Sequence, residues 1–303
     1  MKKIVSIILL AGMMVGLLSG CSDNSQKTET KDVKIGGLTF QNGNINSIKE
    51  LGEEKTTLVS NITPRDVNVV EYDNLAAMQL ALDSGKIDVM NVPDFVGSYF
   101  VKNNKGYALV ASMLNVRVSY AMGFTENNAE LRDRVNEAIG ELQSNGTLTK
   151  LEDEYIYKAS GKLKPVQFQT FDGAETITVA LTGDMPPMDY IGADGTPAGY
   201  NTALVSEVAK IMKVNIKTIN IEAAARSSAL ASGKADIVFW YDAADIEGEG
   251  LRPNPVAAPE NPEILEEKKK KEEALKKAFS VEGIIFSESY FRSNNRVYVG
   301  KSK

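Results

Sequence analysis

The sequence predicts an α/β fold with two similar lobes, built from parallel-rich sheets and flanking helices. Predicted strands alternate with predicted helices along most of the chain, which is typical of βαβ units and parallel sheets. The alternating series also occurs twice, and a nine-residue phrase recurs: LDSGKIDVM begins at Leu82 and LASGKADIV at Leu230. In both copies Ser-Gly ends a helix and Lys-x-Asp leads into an apolar strand. We therefore interpret the repeat as an αβ corner present in each lobe, not as a catalytic motif.

The first series of elements precedes residue 157. We expect strands at residues 33–40, 67–72 and 86–92 and in the segments ALVASM and SYAMGF, and helices at 46–54, 75–82 and 95–101. The clearest helix covers residues 130–143, because Leu131, Val135, Ala138, Ile139 and Leu142 recur at helical spacing. SNG follows this helix and is typical of a glycine-capped end.

The second series follows a Gly- and Pro-containing linker. We expect strands at residues 176–182, 214–221 and 234–240, a proline-broken loop at 183–200, and helices at 204–212 and 223–232. The predicted organisation is a signal segment at 1–20, a tether at 21–32, one lobe at 33–157, a linker at 158–174 and a second lobe at 175–303. Residues 246–281 interrupt the second lobe with four closely spaced prolines and the charged run EILEEKKKKEEALKKAF. We interpret this insertion as a solvated surface helix, and the alternative is a partner-docking arm.

The amino terminus resembles a bacterial lipoprotein signal. Lys2 and Lys3 precede the apolar residues 4–18, a run too short to span a membrane, and LSGC places small residues before Cys21. This pattern predicts cleavage before Cys21, a lipid on its thiol, and a protein tethered to the membrane outside the cytoplasm. The alternative is an ordinary secretory signal with a chance cysteine.

Composition excludes several classes of chemistry. The 303 residues contain no histidine and one cysteine, so Ser-His-Asp triads, imidazole metal sites and intramolecular disulfides are absent. The net charge of −6 gives no reason to expect a nucleic-acid partner. We find no P-loop and no dinucleotide-binding fingerprint. We therefore expect no metal, no cofactor and no catalytic residue.

In open α/β sheets, ligands bind beyond the carboxyl ends of the strands. The candidate ligand-binding residues are Thr39, Gln41, Asn42, Tyr72, Asn91 and Asp94 in the first series, and Asp184, Met188, Tyr190, Arg226, Trp240, Tyr241 and Asp242 in the second. An aromatic floor with one arginine and nearby carboxylates suits a zwitterionic or cationic small molecule. Alternatives remain open: Trp240 as core, Arg226 as a surface residue, Asp94 as a helix cap and Met188 as loop packing.

These segments resemble the amino-acid-type extracellular solute-binding proteins, which have the type-two periplasmic-binding fold and feed ABC importers. ITVALTGDMPPMDYIGADGTPAGYNTALVSEVAKIM, ARSSALASGKADIVF and IIFSESYF with RVYVGK resemble the family's first lobe. YDNLAAMQLALDSGKIDVMNV and ELRDRVNEAIGELQSNGTLTKLEDEYI resemble its second lobe and closing helices. The resemblance implies a two-lobed clamshell that closes over a small ligand and presents it to a permease.

The order of the segments departs from the family pattern, because the second-lobe part comes first. Circular permutation explains this, with 33–157 and 175–303 closing into one clamshell, and so does a remnant of a tandem protein. The family's Thr-x-x-Arg after the strand that ends near Trp240 is replaced by DAADIEGEG. In addition, Asp94 lies one residue beyond the family's amine-binding position, and Asn201 replaces the usual aspartate.

Three functions follow from these observations. The first is a lipid-anchored receptor for an amino acid or related compound, in which Arg226 pairs with a carboxylate and Asp94 or Asp242 with an amine. The second is a degenerate or adaptor-like lipoprotein whose inserted helix meets a partner. The third is a dehydratase-like enzyme on the same fold, with Asp184, Asp189 and Asp242 as candidate acid and base.

Overall fold

The computed structural model describes residues 29–38, 62–241 and 281–302. The signal segment with Cys21, the predicted helix at 46–54 and residues 246–280 of the predicted insertion lie outside these ranges. The described strands are β1 Glu29–Leu38, β2 Ile62–Tyr72, β3 Val89–Pro93, β4 Tyr107–Thr125, β5 Thr176–Leu181, β6 Asp184–Met185, β7 Asp189–Ile191, β8 Pro197–Ala198, β9 Asn215–Asn220, β10 Ile237–Tyr241, β11 Ile284–Phe286 and β12 Phe291–Lys301. The described helices are α1 Leu75–Asp83, α2 Asp94–Asn103, α3 Ala129–Ser144, α4 Thr147–Glu152, α5 Tyr200–Met212 and α6 Arg226–Ala231. Short helical turns cover Glu126–Asn128, Asp153–Tyr157 (a π turn) and Ala223–Ala225.

The described strands form a large mixed sheet with the order β2-β1-β3-β12-β4-β10-β5-β9, in which β11 also pairs with β4. β1 is parallel to β2 and β3, and β5 is parallel to β9 and β10. These two parallel groups lie at opposite ends of the sheet, with helices packed on them. The predicted α/β fold with parallel-rich sheets and flanking helices is confirmed.

Two long antiparallel strands, β4 and β12, connect the two parallel groups. The carboxyl end of β3 reaches the middle of β12, because Pro93 pairs with Arg296. The carboxyl end of β10 reaches the middle of β4, because Tyr241 pairs with Tyr120. β12 pairs with β4 along both stretches, and its register shifts between them. The carboxyl ends of the two parallel groups therefore point toward each other across the segment where β4 and β12 pass between the groups.

The repeated phrase forms the same corner twice. Gly85 and Gly233 end α1 and α6 with φ angles of 72° and 67°, a left-handed conformation that favours glycine. In the first copy, Asp88 accepts a hydrogen bond from the backbone N–H of Lys34 in β1 at 2.9 Å. In the second copy, Asp236 accepts one from the N–H of Thr178 in β5 at 2.8 Å. In each copy the aspartate thus ties the corner to the neighbouring strand through a hydrogen bond that contributes about 1 kcal/mol to stability. Its role in the repeat is structural.

Helix sequences match their packing. Asn74 caps α1 by accepting a hydrogen bond from the N–H of Ala77 at 2.8 Å. The predicted apolar face of α3 is buried through Val135, Ala138, Ile139 and Leu142. α3 and α4 pack on α5, so helices encoded before the linker cover strands encoded after it. Buried apolar residues from both series belong to one continuous core cluster.

Two sequence expectations need correction. ALVASM and SYAMGF were expected as separate strands, but they belong to one continuous strand, β4, of 19 residues. It runs from one parallel group to the other and pairs with β12 on both sides of a register shift. The expected loop at 183–200 contains a small antiparallel sheet of β6, β7 and β8, whose strands are only two or three residues long. Among the described residues, no helix is both long and apolar enough to cross a bilayer.

Candidate functional site

The first end of the candidate site lies where β3 meets β12. Asn91 is fully buried in β3, and its side-chain oxygen accepts a hydrogen bond from Nε of Arg296 at 2.5 Å. Arg296 Nη2 donates to the Asn91 backbone carbonyl at 3.0 Å. Burial raises the pKa of the neighbouring Tyr298 to about 12, although Arg296 and a hydrogen bond with Asn91 oppose that rise. The guanidinium is 0% exposed, so its charge depends on this enclosed polar environment.

Asp94 lies one residue beyond β3, in the first turn of α2. Its Oδ1 accepts hydrogen bonds from the N–H of Phe95 at 2.8 Å and from the hydroxyl of Ser293 at 3.0 Å. Ser293 belongs to β12, so the carboxylate joins the amino end of α2 to a crossing strand. Asp94 is only partly buried, which leaves part of its carboxylate accessible. A carboxylate at this edge can accept a hydrogen bond from an amine.

An aromatic cluster fills the space beside the crossing strands. The ring of Phe291 lies 5.3 Å from those of Phe95 and Tyr120 and 5.6 Å from that of Tyr200. Tyr290 extends the cluster to Phe239 of β10, whose ring centroid is 6.0 Å away. The aromatic cluster, which we define as these six residues, joins side chains of both parallel groups and is at most 6% exposed.

The second end of the site lies beyond β5 and at the start of α6. Arg226 begins α6 and is 4% exposed, so the alternative that it is a surface residue is wrong. Asp189 of β7 is fully buried, and its Oδ2 accepts hydrogen bonds from the N–H and hydroxyl of Thr182 at 3.0 and 3.1 Å. Its other oxygen, Oδ1, has no hydrogen-bond partner among the described residues. This end therefore holds a buried cation and a carboxylate with unused acceptor capacity.

Burial dominates the electrostatics of Asp189. It raises the pKa of that carboxyl above 3.8, while hydrogen bonds from Thr182, the positive charge of Arg226 and the N–H of Gly183 oppose the rise. The charge of Arg226 thus favours the ionised form of Asp189, and burial favours its protonated form. A ligand donor placed on Oδ1 would shift this balance toward the charged form.

Two motifs quoted for the family resemblance contact each other. Tyr290, the tyrosine of the motif IIFSESYF, donates from its hydroxyl to Oδ1 of Asn201 at 2.9 Å. Tyr200, the aromatic residue after Gly199, donates to the backbone carbonyl of Tyr290 at 3.3 Å. Asn201 Nδ2 has no hydrogen-bond partner among the described residues. Asn201 therefore holds the start of α5 against β12 through one bond, and an aspartate here could accept the same bond.

The remaining predicted residues lie at strand ends. Asp184 pairs with Tyr190 in the small sheet, and Trp240 and Tyr241 pair with Ala121 and Tyr120 of β4. Tyr72, partly buried, ends β2 opposite Leu38. Met188 is fully buried in the core, and its backbone carbonyl accepts a hydrogen bond from the N–H of Asn201 at 2.9 Å. Thr39, Gln41, Asn42 and Asp242 lie outside the described residues.

Residues 158–165, which we name the strap, run past α2 to the small sheet. The hydroxyl of Tyr99 in α2 donates to the carbonyl of Gly161 at 2.6 Å, and the Gly161 N–H donates to Oδ1 of Asn103 at 2.8 Å. Leu163 is buried against Ala198 of the small sheet. The strap therefore contacts both α2 and the small sheet.

Tyr157 immediately precedes the strap and is 60% exposed. Burial raises its pKa, and the carboxylates of Glu152, Asp94 and Asp153 add to the effect. Among the described residues, no group of three or more acidic, histidine or cysteine side chains is arranged to hold a metal ion.

The sequence places Asp94 beyond a strand end and Arg226 at the start of a helix, but it does not show their partners. Ser293 precedes the predicted hinge strand RVYVGK, and Arg296 is the first residue of that strand. Thr182 is expected only as the end of a strand. An Arg within an apolar strand, as in NNRVYVG, is the one signal that could have drawn attention to Arg296, because a charged residue is rarely buried without a polar partner.

Solved structures similar to this chain include two ligand-binding proteins. The ligand binding component of an ABC-type import system from Staphylococcus aureus with zinc bound has a TM-score of 0.42 and 13% identity, covering 90% of this chain and 66% of that one. The periplasmic aliphatic sulphonate binding protein SsuA from Escherichia coli has a TM-score of 0.38 and 11% identity, covering 89% and 65%. At these TM-scores the likenesses say nothing about the ligand of this protein.

Sequence comparison gives two findings. The L-arginine-binding protein of Pseudomonas aeruginosa is 28% identical over 145 residues, which is 45% of this chain and 51% of that protein. The aligned part thus spans about half the length of this curated relative. Residues 177–240, which contain Asp189, Arg226 and the second repeat, match the family model of the bacterial extracellular solute-binding proteins, family 3. The resemblance inferred from the motifs is confirmed for residues 177–240, which are similar to family 3 of the bacterial extracellular solute-binding proteins.

Proposed function

We propose that this protein is an extracytoplasmic, lipid-anchored receptor that captures a small polar ligand and presents it to an ABC permease. The single observation that carries the proposal is the pair of polar ends that face each other. Arg226 and Asp189 lie at the carboxyl edge of one parallel group, and Asp94 lies at that of the other. Strand ends that face each other across connecting strands are where two-lobed α/β proteins bind ligands.

The charges favour an amino acid or a related compound. Arg226 would pair with the ligand carboxylate, in the bidentate geometry that guanidinium groups prefer. Asp94 or Asp242 would accept from an amine, and Asp189 Oδ1 offers a further acceptor. Trp240 and Tyr241 would pack the body of the ligand, whereas Met188 is buried in the core. A protein without histidine is suited to binding rather than to acid–base catalysis near neutral pH.

Binding would be coupled to closure. β4 and β12 are the two strands that pass between the parallel groups, so bending at their crossing segment would bring the two polar ends together. A ligand that contacts both ends stabilises the closed form, because only that form makes both sets of contacts. The lipid on Cys21 would keep the receptor near the permease.

We further propose that the unusual order of segments is a circular permutation. In favour, β4 leaves the first parallel group and β12 returns to it, so both strands of the crossing come from this chain. Solution scattering tests the idea. A compact monomer is expected, whereas an extended chain or a swapped dimer would favour a remnant of a tandem protein.

A second candidate is an adaptor-like lipoprotein whose cleft binds little. The aromatic cluster favours it, because six rings that are at most 6% exposed already fill part of the space between the groups. In that case the inserted segment 246–281 would contact a partner protein. The two candidates differ in whether any small ligand stabilises the fold.

Ligand titration distinguishes them. Trp240 is the only tryptophan, so its fluorescence can be followed while amino acids, oligopeptides and polyamines are added. A true ligand at a hundred times its Kd should also add about 2.7 kcal/mol of stability, measured as a rise in Tm. If no compound changes either signal, the receptor proposal is wrong.

Variants locate the site. Arg226→Gln should abolish the response to a carboxylate-bearing ligand. The matched control is Arg134→Gln, because Arg134 forms an exposed ion pair with Glu175 at 3.0 Å, and such pairs contribute little. A ligand response that survives in Arg226→Gln would place the carboxylate site elsewhere.

A further inference from the structure

A cavity rich in lysine lies outside the space between the parallel groups. It has a volume of about 450 Å³ and is bounded by α4, the π turn and the strap. Its lining includes Lys150, Lys158, Lys162 and Lys164 but only two acidic residues, Asp153 and Glu154. This local excess of positive charge stands against a net charge of −6 for the whole chain. Its volume is within the usual range of small-molecule sites, which is roughly 300–1,000 Å³.

Three of the four lysines form no ion pair with a carboxylate among the described residues. Lys158 pairs with Asp153 at 2.5 Å. The side chains of Lys150, Lys162 and Lys164 form no ion pair or hydrogen bond with any residue that the structure describes. Their ammonium groups are therefore available to an anion, and lysine binds phosphate as a compact point charge.

A carboxylate outside the lining also faces this charge. Hydrogen bonds from the backbone and side chain of Thr196 are the main cause of the lowered pKa of Asp194, and the charge of Lys162 adds to it. Four lysines against Asp153, Glu154 and Asp194 still leave one net positive charge. The positive excess of the cavity persists when this neighbour is included.

The cavity also has a fixed floor and neutral donors. Ala159 and Leu163 line it and are 5% and 7% exposed, because they pack in an apolar cluster with Ala198. Burial raises the pKa of Tyr155, with contributions from Glu154 and Glu207, so its phenol stays protonated and can donate a hydrogen bond. Ser160 supplies a second hydroxyl. An apolar floor, a few hydrogen-bond donors and several cations form the composition expected of a site for a phosphorylated molecule.

We propose that this lysine cavity binds an anion that carries at least two phosphate groups, separately from the ligand captured between the parallel groups. Lys150 comes from α4 and Lys162 and Lys164 from the strap, so two ammonium groups can each meet one phosphate and the third strengthens the local field. Because the strap forms one wall, an occupant also contacts the segment that runs between α2 and the small sheet. Two sources share this chemistry: a soluble phosphate ester and the headgroup of an anionic lipid.

The test uses the full chain and two probes. Inorganic pyrophosphate is titrated by calorimetry at low and at physiological salt, and the protein is sedimented with phosphatidylcholine vesicles that contain or lack phosphatidylglycerol. Binding of pyrophosphate alone indicates a soluble ester, and binding to the anionic vesicles indicates a lipid. If neither probe binds at low salt, the proposal is overturned.

Charge-matched variants locate the binding. K150Q/K162Q/K164Q should weaken binding of whichever anionic probe binds the wild type by about tenfold or more, because three charge-assisted contacts are removed. K102Q/K105Q/K217Q removes the same charge from exposed positions elsewhere and should change affinity by less than about threefold. Equal weakening by both variants would show that binding depends on net charge alone and would contradict the site. Surface changes of this kind alter stability by about 0.5 kcal/mol or less, so a melting curve of each variant verifies folding.

Discussion

Two helical glycines have opposite surroundings, and single methyl groups can therefore probe the packing. A Cβ on Gly97 of α2 would lie 2.3 Å from Cγ2 of Val297, while a Cβ on Gly140 of α3 would meet nothing within 4 Å. Gly97→Ala should destabilise the protein by about 1–3 kcal/mol through overpacking of α2 on β12. Gly140→Ala should stabilise it by up to about 1 kcal/mol through helix propensity. Urea denaturation measures both, and an upward shift of the midpoint for Gly97→Ala would contradict the close approach.

Asp189 should make stability depend on pH in an unusual direction. Because burial raises its pKa above 3.8, the folded protein holds the proton more tightly than the unfolded chain does. Its contribution is therefore fully present below the ordinary pKa and is lost as the pH rises through the folded-state pKa. The stability of the wild type relative to Asp189→Asn should fall as the pH rises above the ordinary carboxyl pKa and through the raised folded-state pKa.

A second aspartate provides the control for this pH dependence. Hydrogen bonds from Thr196 lower the pKa of the exposed Asp194, so its small contribution is present above 3.8 and is lost as the pH falls through the lowered pKa. Asp194→Asn should thus give a slope of the opposite sign or none. Guanidinium titrations at several pH values measure both differences. A wild-type advantage over Asp189→Asn that grows with pH would show that Arg226 outweighs burial.

The partners of the candidate site residues could not be predicted from the sequence. Asp94 could be predicted because it follows a strand end, and Arg226 because it lies at the start of a helix, and ligands of open α/β sheets gather at both kinds of end. Their partners come from far along the chain: Ser293 is 199 residues from Asp94. Only the sheet register brings such residues together, and one sequence does not contain that register.

Among the elements, those with long periodic patterns were predicted well. The apolar spacing of α3 and the two Ser-Gly corners gave the correct element type. β4 was not predicted as one strand, although LNVRV between ALVASM and SYAMGF alternates apolar and polar residues, because its 19 residues far exceed the usual strand length of about 3–10. The small sheet was missed because its strands are too short to show a period and are enclosed by prolines.

Hydrogen bonds to α2 should stabilise the strap locally. Tyr99→Phe removes the hydroxyl that donates to Gly161 at 2.6 Å and should cost about 1 kcal/mol of local stability. Hydrogen exchange of a peptide covering 159–165 should speed up about fivefold, while exchange in β5 stays unchanged. Tyr190→Phe is the matched control, because Tyr190 packs on the same apolar cluster. Equal acceleration in both variants would assign the effect to packing and not to the hydrogen bond.

At the scale of the whole molecule, the two parallel groups share a core. The core cluster contains Met78 and Val92 from one group and Leu181 and Phe239 from the other. Helices α3 and α4, which precede the linker, pack on α5, which follows it. Sequence patterns predicted the two series but not this shared burial, because periodicity shows which face is apolar and not what covers it.

Phe291 tests whether the groups fold as one cooperative unit. Its ring contacts Phe95, Tyr120 and Tyr200 at 5.3 to 5.6 Å and is 5% exposed. Phe291→Ala should therefore cost about 3–5 kcal/mol, since it leaves a cavity among rings from both groups. Unfolding followed by circular dichroism should remain a single transition.

Hydrogen exchange shows where that stability is lost. Protection should fall by the same free energy in β1 and in β5, because the aromatic cluster joins the strands of both groups. Tyr157→Ala is the control, since Tyr157 is 60% exposed and its removal should change protection little. Loss of protection confined to β1 and β3 would mean that the two groups unfold independently. The shared core would then be too weak to couple them, and closure over a ligand would have to supply the coupling.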